Sequence, residues 1–321
     1  MPARWTTADI PDQTGRTVLI TGANAGIGYH TALQLAAKGA TVLLASRDPA
    51  RGRAAHQRIM ASAPAARVEV VGLDLADLDS VQWLADQVLA GHEGLDLLVN
   101  NAGVMGVPAR RTTAQGFELQ FGTNHLGHFA LTGRLLPALL ARPASRVVTV
   151  SSVMHRLGRL DLEDPNSERG YRRWQAYNAS KLANALFTLE LDRRLRADGA
   201  ATASIGAHPG YARTGLQTTG PRLGDGRPLS IEAVSAGAVE LFTRLTAQPA
   251  AQGALAVLRA ATDPEVAGGD YLGPDGFGGG RGWPVKARYS KTAQDEQLAG
   301  RLWTVSERLT GVSFPAPTGR R

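Results

Sequence analysis

The sequence predicts an α/β protein built on a doubly wound parallel sheet, and three observations predict it. Short aliphatic runs alternate with longer Ala- and Leu-rich amphipathic stretches, strand then helix, from Thr17 onward. The strand-like runs are apolar nearly throughout rather than alternating, the pattern of strands covered on both faces. A chain of 321 residues with 43% hydrophobic and 20% charged residues can bury one large sheet, and its composition excludes disordered, collagen-like and coiled-coil classes.

Taken in order, TVLI at 17–20 is the first strand and a helix runs from the following turn to about Lys38. TVLLA at 41–45, VEVVGL at 68–73, LDLLVN at 95–100 and RVVTVSS at 146–152 are the next strands. Helices are predicted over about 50–63, 77–90, 115–141 and 174–197 between them. ATASIGAHPG at 201–210 supplies a sixth strand and GGDYLG at 268–273 a short seventh. Gly- and Pro-rich stretches mark loops rather than a linker between two cores. We therefore expect one domain over 1–288, with substrate loops at 153–173, 211–230 and 274–288. Residues 289–321 form a C-terminal extension with one amphipathic stretch at about 293–310.

Zero cysteines exclude a disulfide framework, a thiolate metal site and a cysteine nucleophile. No apolar run approaches the ~18 residues of a membrane span, and the start, MPARWTTADIPDQTGR, lacks a secretory apolar stretch, so the expectation is a soluble, cytoplasmic protein. The net charge of +7 comes from scattered basic residues, not a stripe, which argues against nucleic acid as partner. Only Lys38, Lys181, Lys286 and Lys291 among the 35 basic residues are lysine, which gives each of them weight.

Thr21 to Gly28 read T-G-A-N-A-G-I-G, after the first strand and before the first helix. Glycines at Gly22, Gly26 and Gly28 permit a tight turn and a close approach of backbone to a pyrophosphate, with the anion at a helix N-terminus. Asn24 and Ile27 lie in the same turn. Tyr177 and Lys181 are four residues apart on a predicted helix and share a face. An ammonium beside a phenol favours phenolate, so the Tyr177 pKa is expected to fall from about 10 toward neutrality. Ser151 and Ser152 end the fifth strand, and because alternate side chains point to opposite faces only one can meet Tyr177. Asn124 sits in an apolar stretch, FGTNHLGHFALTG, where a buried amide must be hydrogen-bonded. His125 and His128 lack the carboxylate or thiol companions of a metal site, and none is predicted.

These motifs, with Asn100-Asn101-Ala102-Gly103 closing the fourth strand and Y-N-A-S-K at 177–181, resemble the short-chain dehydrogenase/reductase family over about residues 14–275. N-H-L-G-H-F at 124–129 and Y-N-A-S-K-L-A-N at 177–184 are similar to its retinol-dehydrogenase-like members. The resemblance implies a Rossmann fold and hydride transfer between a nicotinamide cofactor and a carbonyl or alcohol. Tyr177 would be proton donor or acceptor and would also touch the cofactor, Lys181 would tune it and bind the nicotinamide ribose, and Ser152 would position the substrate oxygen. Asn124 would kink its helix and hold a water on the proton path. It further implies that Asn101, Ala102 and Gly103 line the cofactor, that Asp74-Leu75 takes adenine, and that Pro209, Gly210 and Thr214 hold the carboxamide end. Family members pair through the helices of Asn124 and Tyr177, so a homo-oligomer is possible.

The second strand ends in Ser46-Arg47-Asp48, where NAD-specific members carry an acid. A hydroxyl followed by a guanidinium suits a 2′-phosphate, so NADP(H) is expected over NAD(H), with Asp48 as the opposing feature. Twenty-five positions separate Ser152 from Tyr177, longer than in compact members, and the surplus reads as a polar loop at the rim. Met154, Leu157, Tyr171, Trp174, Tyr211, Leu216, Phe277 and Trp283 make a small-molecule substrate with an apolar body the expected partner. Two other functions fit the fold: an idle NADP(H)-binding regulator, and a double-bond reductase resembling protochlorophyllide reductase. The complete Asn, Ser, Tyr, Lys set argues against the first, and the missing cysteines against the second.

Overall fold

The computed structural model describes residues 4–211 and 247–314. Its core is one eight-stranded sheet of β1 (Thr17–Thr21), β2 (Thr41–Ser46), β3 (Arg67–Gly72), β4 (Leu97–Asn100), β5 (Arg146–Val150), β6 (Ala203–Ala207), β7 (Tyr271–Pro274) and β8 (Pro284–Lys286). The order is β3-β2-β1-β4-β5-β6-β7-β8, parallel except for the β7–β8 pair. The chain leaves β1 in one direction to build β2 and β3, then returns to add β4 on its other side. That reversal opens a crevice at the carboxyl ends of β1 and β4, the place where such sheets bind ligands.

Helices cover both faces, which is why the central strands are apolar throughout. On one face α1 (Gly26–Ala37), α2 (Pro49–Ser62) and α7 (Ala250–Thr262) bury Leu35, Ile59 and Leu258 against Val18, Ile20 and Leu44. On the other, α3 (Leu78–Gly91), α5 (Gly127–Leu140) and α6 (Arg173–Ala197) bury Leu84, Leu135 and Phe187 against Leu19, Leu43 and Leu98. The C-terminal helix α8 (Glu296–Thr310) lies outside α5 and α6. Its Trp303 stacks on Phe187 at 5.8 Å, and the Arg194 guanidinium covers its other side at 4.3 Å. Thus the helices through which the resemblance implies pairing carry α8 on their outer side.

Four expectations are corrected. β3 is an edge strand with exposed or half-buried residues throughout, because β2 is its sole neighbour. The predicted helix over 115–141 begins only at α4 (Leu119–Phe121), where both Glu118 carboxylate oxygens accept N–H groups of Gln120 and Phe121, and passes through a π-helical turn at Gly122–Leu126. Helix α7 has no counterpart in the sequence reading. The segment 274–288, expected as a loop, contains β8.

Candidate active site

The glycine turn follows β1. Gly22 and Gly26 adopt φ of 65° and 56°, a region side chains rarely enter. A Cβ on Gly28 would stand 2.5 Å from both Asn101 Nδ2 and the Gly22 carbonyl. Ala25 caps α1 without any side-chain hydrogen bond, so the first N–H groups of this twelve-residue helix face the crevice without a capping acceptor. That donor set fits a dinucleotide pyrophosphate. Thr21, not singled out in the sequence, ties the turn to the end of β4: its Oγ1 accepts the N–H groups of Asn101 and Ala102, each at 2.9 Å. Asn101 Nδ2 returns a bond to the Thr21 carbonyl at 2.8 Å. Asn24 and Ile27 lie within this turn, half-buried and buried respectively.

At the end of β2 the Ser46 hydroxyl donates to the Asp48 carbonyl at 2.9 Å, and Arg47 is exposed. The Asp48 carboxylate caps α2, accepting N–H from Ala50 and Arg51, and those bonds hold it below the usual carboxylate range. It is therefore committed to the helix rather than to a ribose. Asp74 accepts the Ala76 N–H at 2.9 Å, and Leu75 is buried where Gly127 allows α5 to approach it.

Across the crevice, Ser152 and Ser151 separate as the strand pleat requires. Ser151 Oγ donates to the Lys181 carbonyl at 2.7 Å, while the Ser152 hydroxyl is on the side of the Tyr177 phenol and favours its ionised form. Ser152 Oγ also accepts the Met154 N–H at 3.2 Å, which leaves its own O–H to donate. Lys181 Nζ donates to the Val150 carbonyl at 3.1 Å and lies 5.9 Å from the Tyr177 ring centroid. Both side chains are buried. The expected lowering of the Tyr177 pKa is not what this arrangement produces. Burial pushes the phenol up to about 12 against the pull of Ser152, and pushes Lys181 down to about 8. Desolvation disfavours both charged forms, and it is the dominant influence on each.

Asn124 lies in the π-helical turn. Its Oδ1 accepts the Val104 N–H at 2.7 Å, and its Nδ2 donates to the Val104 carbonyl and to Ser180 Oγ. Ser180 in turn donates to the Tyr177 carbonyl. The Asn124 carbonyl accepts from His128 Nδ1 at 2.9 Å, so that ring's Nε2 is the acceptor facing Thr21 Oγ1, also at 2.9 Å. Burial drives His128 down to about 4 and keeps it neutral. A Cβ on Gly103 would lie 2.9 Å from Asn124 Oδ1 and 3.7 Å from Lys181 Nζ, which brings the β4 turn, Asn124 and Lys181 together. Among the described residues no group of three or more His, Asp or Glu is arranged to hold a metal.

Pro209 and Gly210 follow β6, with Gly210 at φ 64°. Gln248, missed in the sequence, pins them: its Nε2 donates to the Pro209 carbonyl at 2.7 Å and its Oε1 accepts the Gly282 N–H at 3.0 Å. Thr214, Leu216 and most of the 211–230 loop lie outside the described residues. At the rim Trp174 packs edge-on to Tyr177 at 6.5 Å, and Leu157, Tyr211 and Phe277 are exposed. Tyr171 instead donates to the Val107 carbonyl. A polar cavity of about 240 Å³, lined by Glu118, Arg159, Arg169 and Ala179, opens on the far side of α6 from Tyr177 and Lys181. No helix among the described residues is long and apolar enough to cross a membrane.

Residues 16–222 match the family described as short chain dehydrogenase. Retinol dehydrogenase 13 of Homo sapiens is 40% identical over 312 residues, 94% of this chain and 86% of that one. Polyprenol dehydrogenase of Mus musculus is 40% identical over 309 residues, with coverages of 94% and 86%. The crystal structure of an uncharacterized protein from Mycobacterium paratuberculosis is 44% identical, superposes with a TM-score of 0.79, and is covered in full by 98% of this chain. A short chain dehydrogenase/reductase from Burkholderia phymatum, solved in complex with NAD, is 25% identical with a TM-score of 0.61, over 78% of this chain and 86% of that one.

Proposed function

The chain belongs to the short-chain dehydrogenase family, an NAD(P)-dependent oxidoreductase of alcohol and carbonyl groups, and on that premise we propose that it uses NADP(H) on apolar alcohols or aldehydes with Tyr177 exchanging the proton. The observation that carries the reading is the convergence of a neutral buried phenol, a serine O–H left free to donate and a buried lysine at the carboxyl edge of the sheet. When bound, the nicotinamide supplies or takes the hydride. Ser152 donates to the substrate oxygen and orients it. Tyr177 gives that oxygen its proton in reduction and removes it in oxidation. Its raised pKa suits the donor role, and a cationic neighbour becomes useful as the proton leaves, when charge appears on the phenol oxygen. Lys181 supplies that charge below about pH 8.

The cofactor would lie across the α1 N-terminus, held by Gly22, Gly26, Gly28 and the Asn101–Gly103 turn, with Asp74 and Leu75 toward adenine. The exposed Arg47 favours a 2′-phosphate, with Ser46 able to join it by turning its hydroxyl from the Asp48 carbonyl, and the capping role of Asp48 removes the acid that would oppose it. The apolar substrate class rests on Trp174, Leu157 and Tyr211 at the rim and on relatives named for retinol and polyprenol. The test is a panel of retinal, a long isoprenoid aldehyde, hexanal and a sugar aldehyde, each followed by NADPH and NADH absorbance. Fastest turnover on the long apolar aldehydes with NADPH is expected. Preference for the sugar, or equal use of both cofactors, would overturn the substrate or cofactor assignment respectively.

A further inference from the structure

We propose that His155 is a positioning residue for Ser152, and that through it the C-terminal extension sets the geometry of the proton-transfer site. The inference rests on the reading of Ser152 as the hydroxyl that orients the substrate oxygen. His155 lies in the 3₁₀ turn Val153–Leu157 directly after Ser152 and is buried. Its Nδ1 donates to the Ser152 carbonyl at 2.6 Å, the shortest of three bonds to that oxygen, beside the one from its own backbone N–H at 3.0 Å and one from the Tyr271 hydroxyl at 3.4 Å. Its Nε2 accepts the backbone N–H of Ser290 at 3.1 Å. A backbone N–H can only donate, so Nε2 is the acceptor, the proton is on Nδ1, and one tautomer satisfies both ends.

The ring is held in that pose from the side. It stands edge-on to Tyr271 at 5.4 Å, and Tyr271 stacks at 4.4 Å on Tyr289, the residue before Ser290. The extension is thus packed under the site by Tyr289 and Ser290, while α8 is fixed farther along by Trp303. What His155 controls is the backbone at Ser152. Pinning that carbonyl fixes the plane of the following peptide and the turn that brings the Met154 N–H onto Ser152 Oγ. With that lone pair occupied, the hydroxyl proton points to the substrate side. Loss of the imidazole bond leaves that carbonyl to the two longer bonds and loosens the turn that sets the Ser152 O–H, a loss of orientation rather than of the group.

The experiment is a double-mutant cycle on turnover of the fastest aldehyde of the panel above, with NADPH binding measured separately by fluorescence. His155→Phe keeps a ring edge-on to Tyr271 but no donor. It should lower kcat about tenfold with the NADPH Kd unchanged. His155→Asn, whose amide N–H lies near the Nδ1 position, should recover most of that loss. In a Ser152→Ala background the same His155→Phe change should cost less than about twofold, since nothing is left to orient. A tenfold cost that persists without the Ser152 hydroxyl, or an asparagine variant as slow as the phenylalanine one, would overturn the proposal. If Ser152→Ala alone turns over at the parent rate, the reading of Ser152 falls and His155 falls with it, a different signature from the first two. Should His155→Phe fail to fold, His155→Gln, which reaches toward Ser290 but not the Ser152 carbonyl, replaces it with the same expected contrast to asparagine.

Discussion

The two walls of the crevice are built on different physics. On the β1, β2 and β4 side the groups that face the ligand are backbone N–H groups and half-buried polar side chains, and they owe their placement to glycines and to Thr21. On the β5 and α6 side they are side chains withdrawn from water, and burial pushes the Tyr177 phenol up to about 12 and Lys181 down to about 8. The first wall can bind and can do little else, since backbone amides do not titrate. The second changes the protonation of its groups with little room to grip a ligand. The comparison teaches that affinity for cofactor and rate of proton transfer should be separable by mutation, one wall at a time.

Next to the proton donor itself, the largest effect that sharpens this separation is at Ser152. Ser152→Ala should lower kcat roughly 10²-fold, in line with the loss of one oriented donor, and leave NADPH binding alone. Ser151→Ala, whose hydroxyl meets the Lys181 backbone, should alter stability more than rate. Steady-state kinetics with thermal melts checks both, and the reverse result would exchange the roles of the two serines. On the other wall, Gly28→Ala drives a methyl into Asn101 and the Gly22 carbonyl. It should weaken NADPH binding at least tenfold by fluorescence titration, with single-turnover rate at saturation nearly kept. A kcat defect at saturating cofactor would break the division. Arg47→Ala should remove most of an expected tenfold preference for NADPH over NADH by weakening NADPH alone, the loss of one charged contact.

The smallest functional effect is on stability against pH. Lys181 is held near 8 when folded and titrates near 10.4 when unfolded. Below about pH 8 the folded chain carries a buried ammonium, and that penalty is fully present. As pH rises toward 10 the folded form gives up its proton first, so this lysine makes the protein more stable as pH rises through that window. Tyr177, raised when folded, acts with the opposite sign, and only above pH 10. Urea melts of the parent and Lys181→Met at pH 7.5 and 9.5 should show the gap shifting in the parent's favour at the higher pH. No shift would place the lysine in contact with water.

Much of this was legible in the chain. Strands read as continuous apolar runs lie in the sheet where expected, because two covered faces demand that composition. The turn at Thr21–Gly28, the Asn100–Gly103 turn and the pair of Tyr177 and Lys181 converge on one crevice because each sits at a strand end or on one helix face. What escaped depended on third parties. The direction of the Tyr177 pKa depends on how much water α6 excludes, and spacing along a helix does not report that. β8 is three residues long and exists through its pairing with β7. Helix α7 carried a signal, Ala and Leu at helical spacing over 250–262, and went unread beside the glycine-rich stretch that follows it. Edge exposure of β3 follows from strand order. Thr21 opens the glycine motif, but its tie to the end of β4, like the bonds of Gln248 and His155, joins residues far apart in the chain or backbone groups, and no spacing marks that.

The central claim is that the Tyr177 hydroxyl moves the proton and adds little to the affinity for the cofactor. Its direct test is Tyr177→Phe, measured for NADPH binding by fluorescence titration and for hydride transfer by single turnover of an apolar aldehyde. The account predicts a Kd within about twofold of the parent and a single-turnover rate lower by about 10³-fold or more, since the variant loses the hydroxyl that gives up the proton beside Ser152. A phenylalanine variant that still transfers hydride at near the parent rate would contradict it.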